Sequence, residues 1–188
     1  NDSLVAPFHC SDLNEIGAGY KHAKPLAVCA TQAHQRLMTD DASAITIEVA
    51  APDGADSAAC LRAYFAELEV RFGSGFDPEA GATSPDTAMA PPTGAFLLAR
   101  QDGKAVGCGG VKKLAPGIGE IKRMWIAPEM RGRGLSRRLL AAIEAEARSL
   151  GFATIRLDTN RSLGEARALF SRTGYREIAR YNDNPYAD

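Results

Sequence analysis

The stretch "RGRGLSRRLL", positions 131–140, packs four arginines and two glycines into one short run, directly behind the apolar "RMWIAPEM". Gly132 and Gly134 carry no Cβ, so a ligand can approach their backbone closely, and a helix starting here points unsatisfied N–H groups at the same place. Arg131, Arg133, Arg137 and Arg138 add positive charge around it. Such a helix start holds an anion, and its size and charge suit a pyrophosphate. An apolar strand ending before Pro128 and an amphipathic helix behind the loop distinguish this pattern from an ordinary glycine-rich turn beside solvated arginines.

The rest of the chain must position that loop. With 188 residues and 45% hydrophobic content the sequence fits one well-buried domain. Twenty-two Lys and Arg against 23 Asp and Glu leave a net charge of −1, so no global field recruits nucleic acid or an anionic membrane. No apolar run reaches the roughly 18 residues a bilayer span needs, and the start lacks the order of a signal peptide. The expectation is a soluble, cytoplasmic protein with neither nucleic-acid nor membrane partners. Cys10, Cys29, Cys60 and Cys108 show no CxxC spacing and read as reduced thiols. His9, Cys10, His22, Cys29 and His34 crowd the first forty residues in no common ligand pattern, and no metal is expected.

Residues 1–43 have weak periodicity, with one helix expected over 25–38, and read as an N-terminal extension without an assigned role. From residue 44 the pattern sharpens. Ile45, Ile47 and Val49 alternate as a strand does, and Leu61, Phe65 and Leu68 recur at helical spacing over 57–72. A long Gly-, Pro- and Ser-rich loop follows, then two apolar runs joined by Asp102-Gly103, a hairpin signal. A third strand is expected from Glu120, a helix over 134–150 with Leu135, Leu139 and Ile143 on one face, a strand over 153–159, a helix over 163–172 and a last strand over 175–181. This order predicts an α/β (α+β) domain, a mixed sheet flanked by helices.

Arg131-Gly132-Arg133-Gly134-Leu135-Ser136 resembles the signature of the GNAT superfamily of acetyl-CoA-dependent N-acetyltransferases: Gln or Arg, two residues, Gly, one residue, then Gly or Ala. Ser136 stands where the family prefers Gly or Ala. The resemblance extends over about 44–187 and implies a mostly antiparallel central sheet flanked by helices, acetyl-CoA as cosubstrate and a small-molecule amine as acceptor; a homodimer is left open. By position, the amides of Gly132, Arg133, Gly134, Ser136 and Arg137, with Arg131 and Leu135 in the same signature, are expected to hold the pyrophosphate. Met124, Trp125 and Ile126 are expected to line the pantetheine arm, where the family's strand splays from its neighbour. Asn160 stands where relatives place a polar contact to the cofactor.

The same carry-over makes Glu120, eleven residues before Arg131, the expected general base, acting directly or through water. The tyrosine that protonates the departing thiolate in the family corresponds to Phe170, which has no hydroxyl. Tyr64, Tyr175, Tyr181 or water are the replacements left open, with reduced activity as the third outcome. The first helix and the loop behind it shape the acceptor pocket in this fold, which brings in Tyr64, Glu67 and Arg71; their mixed charge suits an amine that carries its own carboxylate. Cys108, among apolar neighbours, reads as a buried thiol and not as an acyl carrier. The ending "YNDNPYAD" resembles a bacterial subgroup whose members continue into another aromatic-rich strand. The expectation is an N-acetyltransferase domain over 44–188, working through a ternary complex; a non-catalytic acyl-CoA-binding or regulatory module is the alternative.

Overall fold

A computed structural model describes residues 3–7, 45–73, 76–77 and 86–187. The expected helix over 25–38 and the early His and Cys residues lie outside them. The described elements are β1 (Ser3–Pro7), β2 (Ile45–Ala50), α1 (Ala55–Phe72), β3 (Gly94–Gln101), β4 (Lys104–Ala115), β5 (Ile118–Ile126), α2 (Leu135–Ser149), β6 (Thr154–Asp158), α3 (Gly164–Arg172) and β7 (Arg176–Ile178). They form one seven-stranded sheet in the order β2-β3-β4-β5-β6-β1-β7. Every neighbouring pair is antiparallel except β5 with β6. The mixed sheet flanked by helices is what the strand and helix order predicts, and its mostly antiparallel pairing is what the resemblance implies.

Burial explains the local patterns. On β3, Ala95, Leu97 and Ala99 join the core that contains α2, while Phe96 and Leu98 join Cys60, Leu61 and Cys108 on the α1 side. A strand covered on both faces reads as a continuous apolar run. Helix α2 sets Leu135, Leu139, Leu140, Ile143 and Ala147 into the first core, the i, i+4 stripe its sequence announces. Gly109 on β4 lets that helix come close, since a Cβ there would stand 2.9 Å from Ile143 Cδ1. The Asp102-Gly103 turn has positive φ at both positions, 51° and 78°, as a tight hairpin requires.

Three boundaries differ from the sequence reading. β5 starts at Ile118, two residues before Glu120. The last strand is only Arg176–Ile178; Tyr181 has left the sheet and donates its hydroxyl proton to Glu120. Ser3–Pro7, inside the stretch without an assigned role, runs antiparallel between β6 and β7, with Leu4 opposite Leu157 and Glu177. Among the described residues no helix is long and apolar enough to cross a membrane.

Candidate functional site

The site grows out of β5. Ile118, Gly119 and Glu120 pair with Thr154, Ile155 and Arg156 of β6, and there the pairing stops. Further along, β5 carries a bulge: Cys108 faces Trp125 and Gly110 faces Lys122, so Arg123 and Met124 together oppose the lone Gly109. Arg123 takes a left-handed conformation at φ 58°, rare for a long side chain and tolerated where packing fixes it. The bend leaves a cavity of about 360 Å³ between the diverging strands, lined by β5 from Ile121 to Ile126 and by Leu157, Asp158, Thr159 and Asn160.

At one end the cavity meets the loop. Gly132 (φ 74°) and Gly134 (φ 78°) have positive φ, and a Cβ at either would meet nothing within 4 Å, so the backbone lies open on that side. Gly134 caps α2 without a side-chain hydrogen bond to the first turn. An open backbone at a helix start with free N–H groups is a general anion-binding feature. Arg131, Gly132, Leu135 and Ser136 line the cavity with Met124, Trp125 and Ile126. Arg133, Gly134 and Arg137 are exposed beside it and not in its wall. Arg138 turns away, its Nη2 donating to the Ile45 carbonyl at 3.0 Å, so its charge serves the β2 edge and not the loop.

At the other end stands α1. Ser57, Cys60, Leu61 and Leu68 are its buried residues, and Tyr64, Glu67, Arg71 and Phe72 continue that stripe into the cavity wall. Glu67 ties the two ends together: its Oε2 accepts from Trp125 Nε1 at 2.9 Å and from Arg131 Nη2, and its Oε1 meets Arg71 Nη2 at 2.8 Å. Burial pushes the Glu67 carboxyl up, but these three partners outweigh it and hold it below its ordinary range. Tyr64, Glu67 and Arg71 are thus brought together with Trp125 of β5 and Arg131 of the loop.

Glu120 is not in the wall. It is fully buried; its Oε2 faces Lys112 Nζ at 3.3 Å, and its Oε1 meets Lys122 Nζ at 3.1 Å and the Tyr181 hydroxyl at 2.9 Å. Register dictates this, because Lys112 lies opposite Glu120 on β4. Glu120 is connected to the cavity through Lys122, whose Nζ also meets Asp158 Oδ1 at 2.8 Å, and through Asn182, whose Nδ2 donates to both Glu120 Oε1 and Asp158 Oδ2. Burial raises the Asp158 carboxyl, yet the Lys122 ammonium and hydrogen bonds from Lys122, Asn184 and Asn182 bring it below its ordinary range.

Asn160 reaches the cavity wall with its polar atoms already engaged: Nδ2 donates to the Tyr186 carbonyl at 2.7 Å and Oδ1 accepts from Ser162 N at 2.9 Å. Phe170, 4% exposed, lines the cavity and packs edge-on against Tyr175. Cys108 is fully buried, its Sγ donating to the Arg123 carbonyl at 3.4 Å, and its thiol is raised well above the ordinary range by the neighbouring Cys60 and then by burial. Sequence reasoning missed Lys122, Asp158, Arg123 and the C-terminal wall. Lys122 had a signal, since it shares a strand face with Glu120. The tail did not: Tyr186 stacks on Phe72 at 5.7 Å, and Asn182 and Asn184 donate to Asp158, contacts that only the folded chain creates.

The opened sheet and the bare helix start thus share one cavity that runs from the Gly132–Gly134 loop to α1. Residues 61–175 match the acetyltransferase (GNAT) family, and the chain belongs to it. It is similar to an IAA acetyltransferase of Azospirillum brasilense, 40% identical over 46% of this chain and 58% of that protein, so it spans little more than half the length of that curated relative. A solved structure named as an acyl-CoA N-acyltransferase from Klebsiella pneumoniae is 34% identical, with a TM-score of 0.60 over 77% of this chain and 93% of that one. PaiA N-acetyltransferase from Thermoplasma acidophilum, solved in complex with coenzyme A, shares the fold at 16% identity, with a TM-score of 0.59 over 74% of this chain and 94% of that one.

Proposed function

We propose that the protein is an acetyl-CoA-dependent N-acetyltransferase that moves acetyl to a primary amine of a small molecule, an amino acid or similar metabolite, by direct attack within a ternary complex. The observation that carries this reading is the separation of β5 from β6 after Glu120, which joins the open loop at Gly132 and Gly134 to the α1 wall in one cavity. The amides of Gly132, Arg133, Gly134, Ser136 and Arg137 hold the pyrophosphate, with Arg131 and Leu135 shaping the same turn. Met124, Trp125 and Ile126 run beside the pantetheine arm, and Asn160 and Phe170 close its far side. A cytoplasmic site of action follows from the cosubstrate.

The acceptor enters from α1. Glu67 and Asp158 stand there with Arg71 and Arg123, so a zwitterion finds partners for both its charges, whereas a polycation meets four cationic side chains including Lys122 and Arg131. Glu120 acts on the reaction through Lys122 and Asp158, holding that pair in place while the amine's proton leaves through water. Phe170, without a hydroxyl, favours the second reading of a non-catalytic acyl-CoA-binding module. Free-thiol release from acetyl-CoA against a panel of amines and amino acids separates the two. Turnover with at least one zwitterionic amine supports the enzyme; binding of acetyl-CoA with no turnover on any amine supports the module.

A further inference from the structure

Phe170 leaves the departing thiolate without a hydroxyl from α3, and the described tyrosines are not equivalent replacements. Tyr175 donates to Glu144 Oε1 at 3.0 Å and Tyr181 to Glu120 Oε1 at 2.9 Å; neither lines the cavity. Tyr186 lines it, with its hydroxyl accepting from the Asp77 amide at 2.7 Å. Tyr64 lines it from α1, one helical turn before Leu68, and Arg123 lines the same cavity with its guanidinium close enough to act on the phenol. That guanidinium is fixed from two sides: Nε donates to Asp86 Oδ1 at 2.9 Å, and its carbon lies 4.8 Å from the centre of the Phe65 ring. Arg123 sits at the bulge, in the part of β5 that has already lost its pairing with β6.

We propose that Tyr64 is the general acid of the transfer and that Arg123 holds its hydroxyl and stabilises the phenolate left behind. This rests on the N-acetyltransferase reading. As the thioester C–S bond breaks, its electron pair goes to sulfur, the Tyr64 hydroxyl proton moves to that sulfur, and the phenolate oxygen beside Arg123 is reprotonated from solvent. Burial, more than any charge, pushes the Tyr64 phenol up to about 12; Asp158 and Cys108 raise it further and Arg123 lowers it, so the group carries its proton at neutral pH.

The test compares Tyr64→Phe with the parent, using an amine the parent turns over. A fall in kcat of about a hundredfold, with acetyl-CoA affinity and amine KM unchanged, is expected. Phe170→Tyr in the Tyr64→Phe background returns a hydroxyl from the α3 side and recovers part of the rate. Arg123→Asn keeps a residue that tolerates positive φ and removes the cation; its loss does not add to that of Tyr64→Phe, because the two act as one unit. Unchanged kcat in Tyr64→Phe, or a loss confined to amine KM, overturns the proposal and leaves the transferase reading standing. A parent that turns over no amine overturns both.

Discussion

In its first half β5 gives both edges to the sheet. Residues 118–120 pair with β4 on one side and β6 on the other, and Glu120 is enclosed by Lys112, Lys122 and Tyr181. After Glu120 the strand keeps β4, with a bulge at Arg123, and loses β6, and residues 121–126 face a cavity. The sequence crosses from one regime to the other within two residues, from Glu120 to Lys122. Role along this strand is therefore set by which side of the divergence a residue occupies more than by its type. Glu120 has the chemistry of a base and the position of a keystone, while Trp125, an ordinary strand aromatic by type, stands in the cavity wall and donates to Glu67.

The open half fails most completely when its anion end is blocked. Gly134→Asp puts a Cβ at φ 78° and a carboxylate where the pyrophosphate is proposed to lie. Like-charge contact of several kcal/mol lowers acetyl-CoA affinity by about a hundredfold or more. Calorimetric titration checks it; unchanged affinity places the ligand outside the open half.

The closed half fails in stability first. Glu120→Gln leaves Lys112 and Lys122 facing a neutral amide, and losing a buried ion pair costs about 3–5 kcal/mol. Urea unfolding at neutral pH reads that loss, with acetyl-CoA affinity kept in the fraction that folds. Acid sharpens the contrast. The Asp158 carboxyl sits below its ordinary range when folded, so the stability it supplies is present above the unfolded value near 3.9 and is lost as pH falls through the lower folded value. Asp158→Asn is accordingly less stable than the parent at neutral pH, with the gap narrowing on acidification.

The smallest effect belongs to Phe170→Tyr alone. With Tyr64 supplying the proton, a second hydroxyl changes kcat by less than about threefold, and a buried hydroxyl without a partner lowers stability by about 1–3 kcal/mol. Steady-state rates and thermal unfolding report the two numbers. A rise of tenfold or more in kcat means the parent lacks an acid.

Much of the fold was readable locally. The 135, 139, 143 stripe of α2, the Asp102-Gly103 turn and the two-sided burial of β3 are each determined within one or two elements. β1 was not, because "SLVAP" becomes a strand only by pairing with residues some 150 positions away, and nothing inside five residues encodes that. The loop glycines were readable from backbone freedom alone. The enclosure of Glu120 was not readable, because it depends on Lys112 across the ladder and on Tyr181 from the tail, both outside its own strand. Arg123 was passed over because its role depends on a bulge, a matter of register between strands.

Amide hydrogen exchange on the intact chain, with and without acetyl-CoA, tests the divergence of β5 most directly. Occupation of the open half predicts new protection in residues 122–126 and 132–137, with little change at 118–120, whose hydrogen bonds are already made. Protection confined to other segments, or none at saturating acetyl-CoA, contradicts the account.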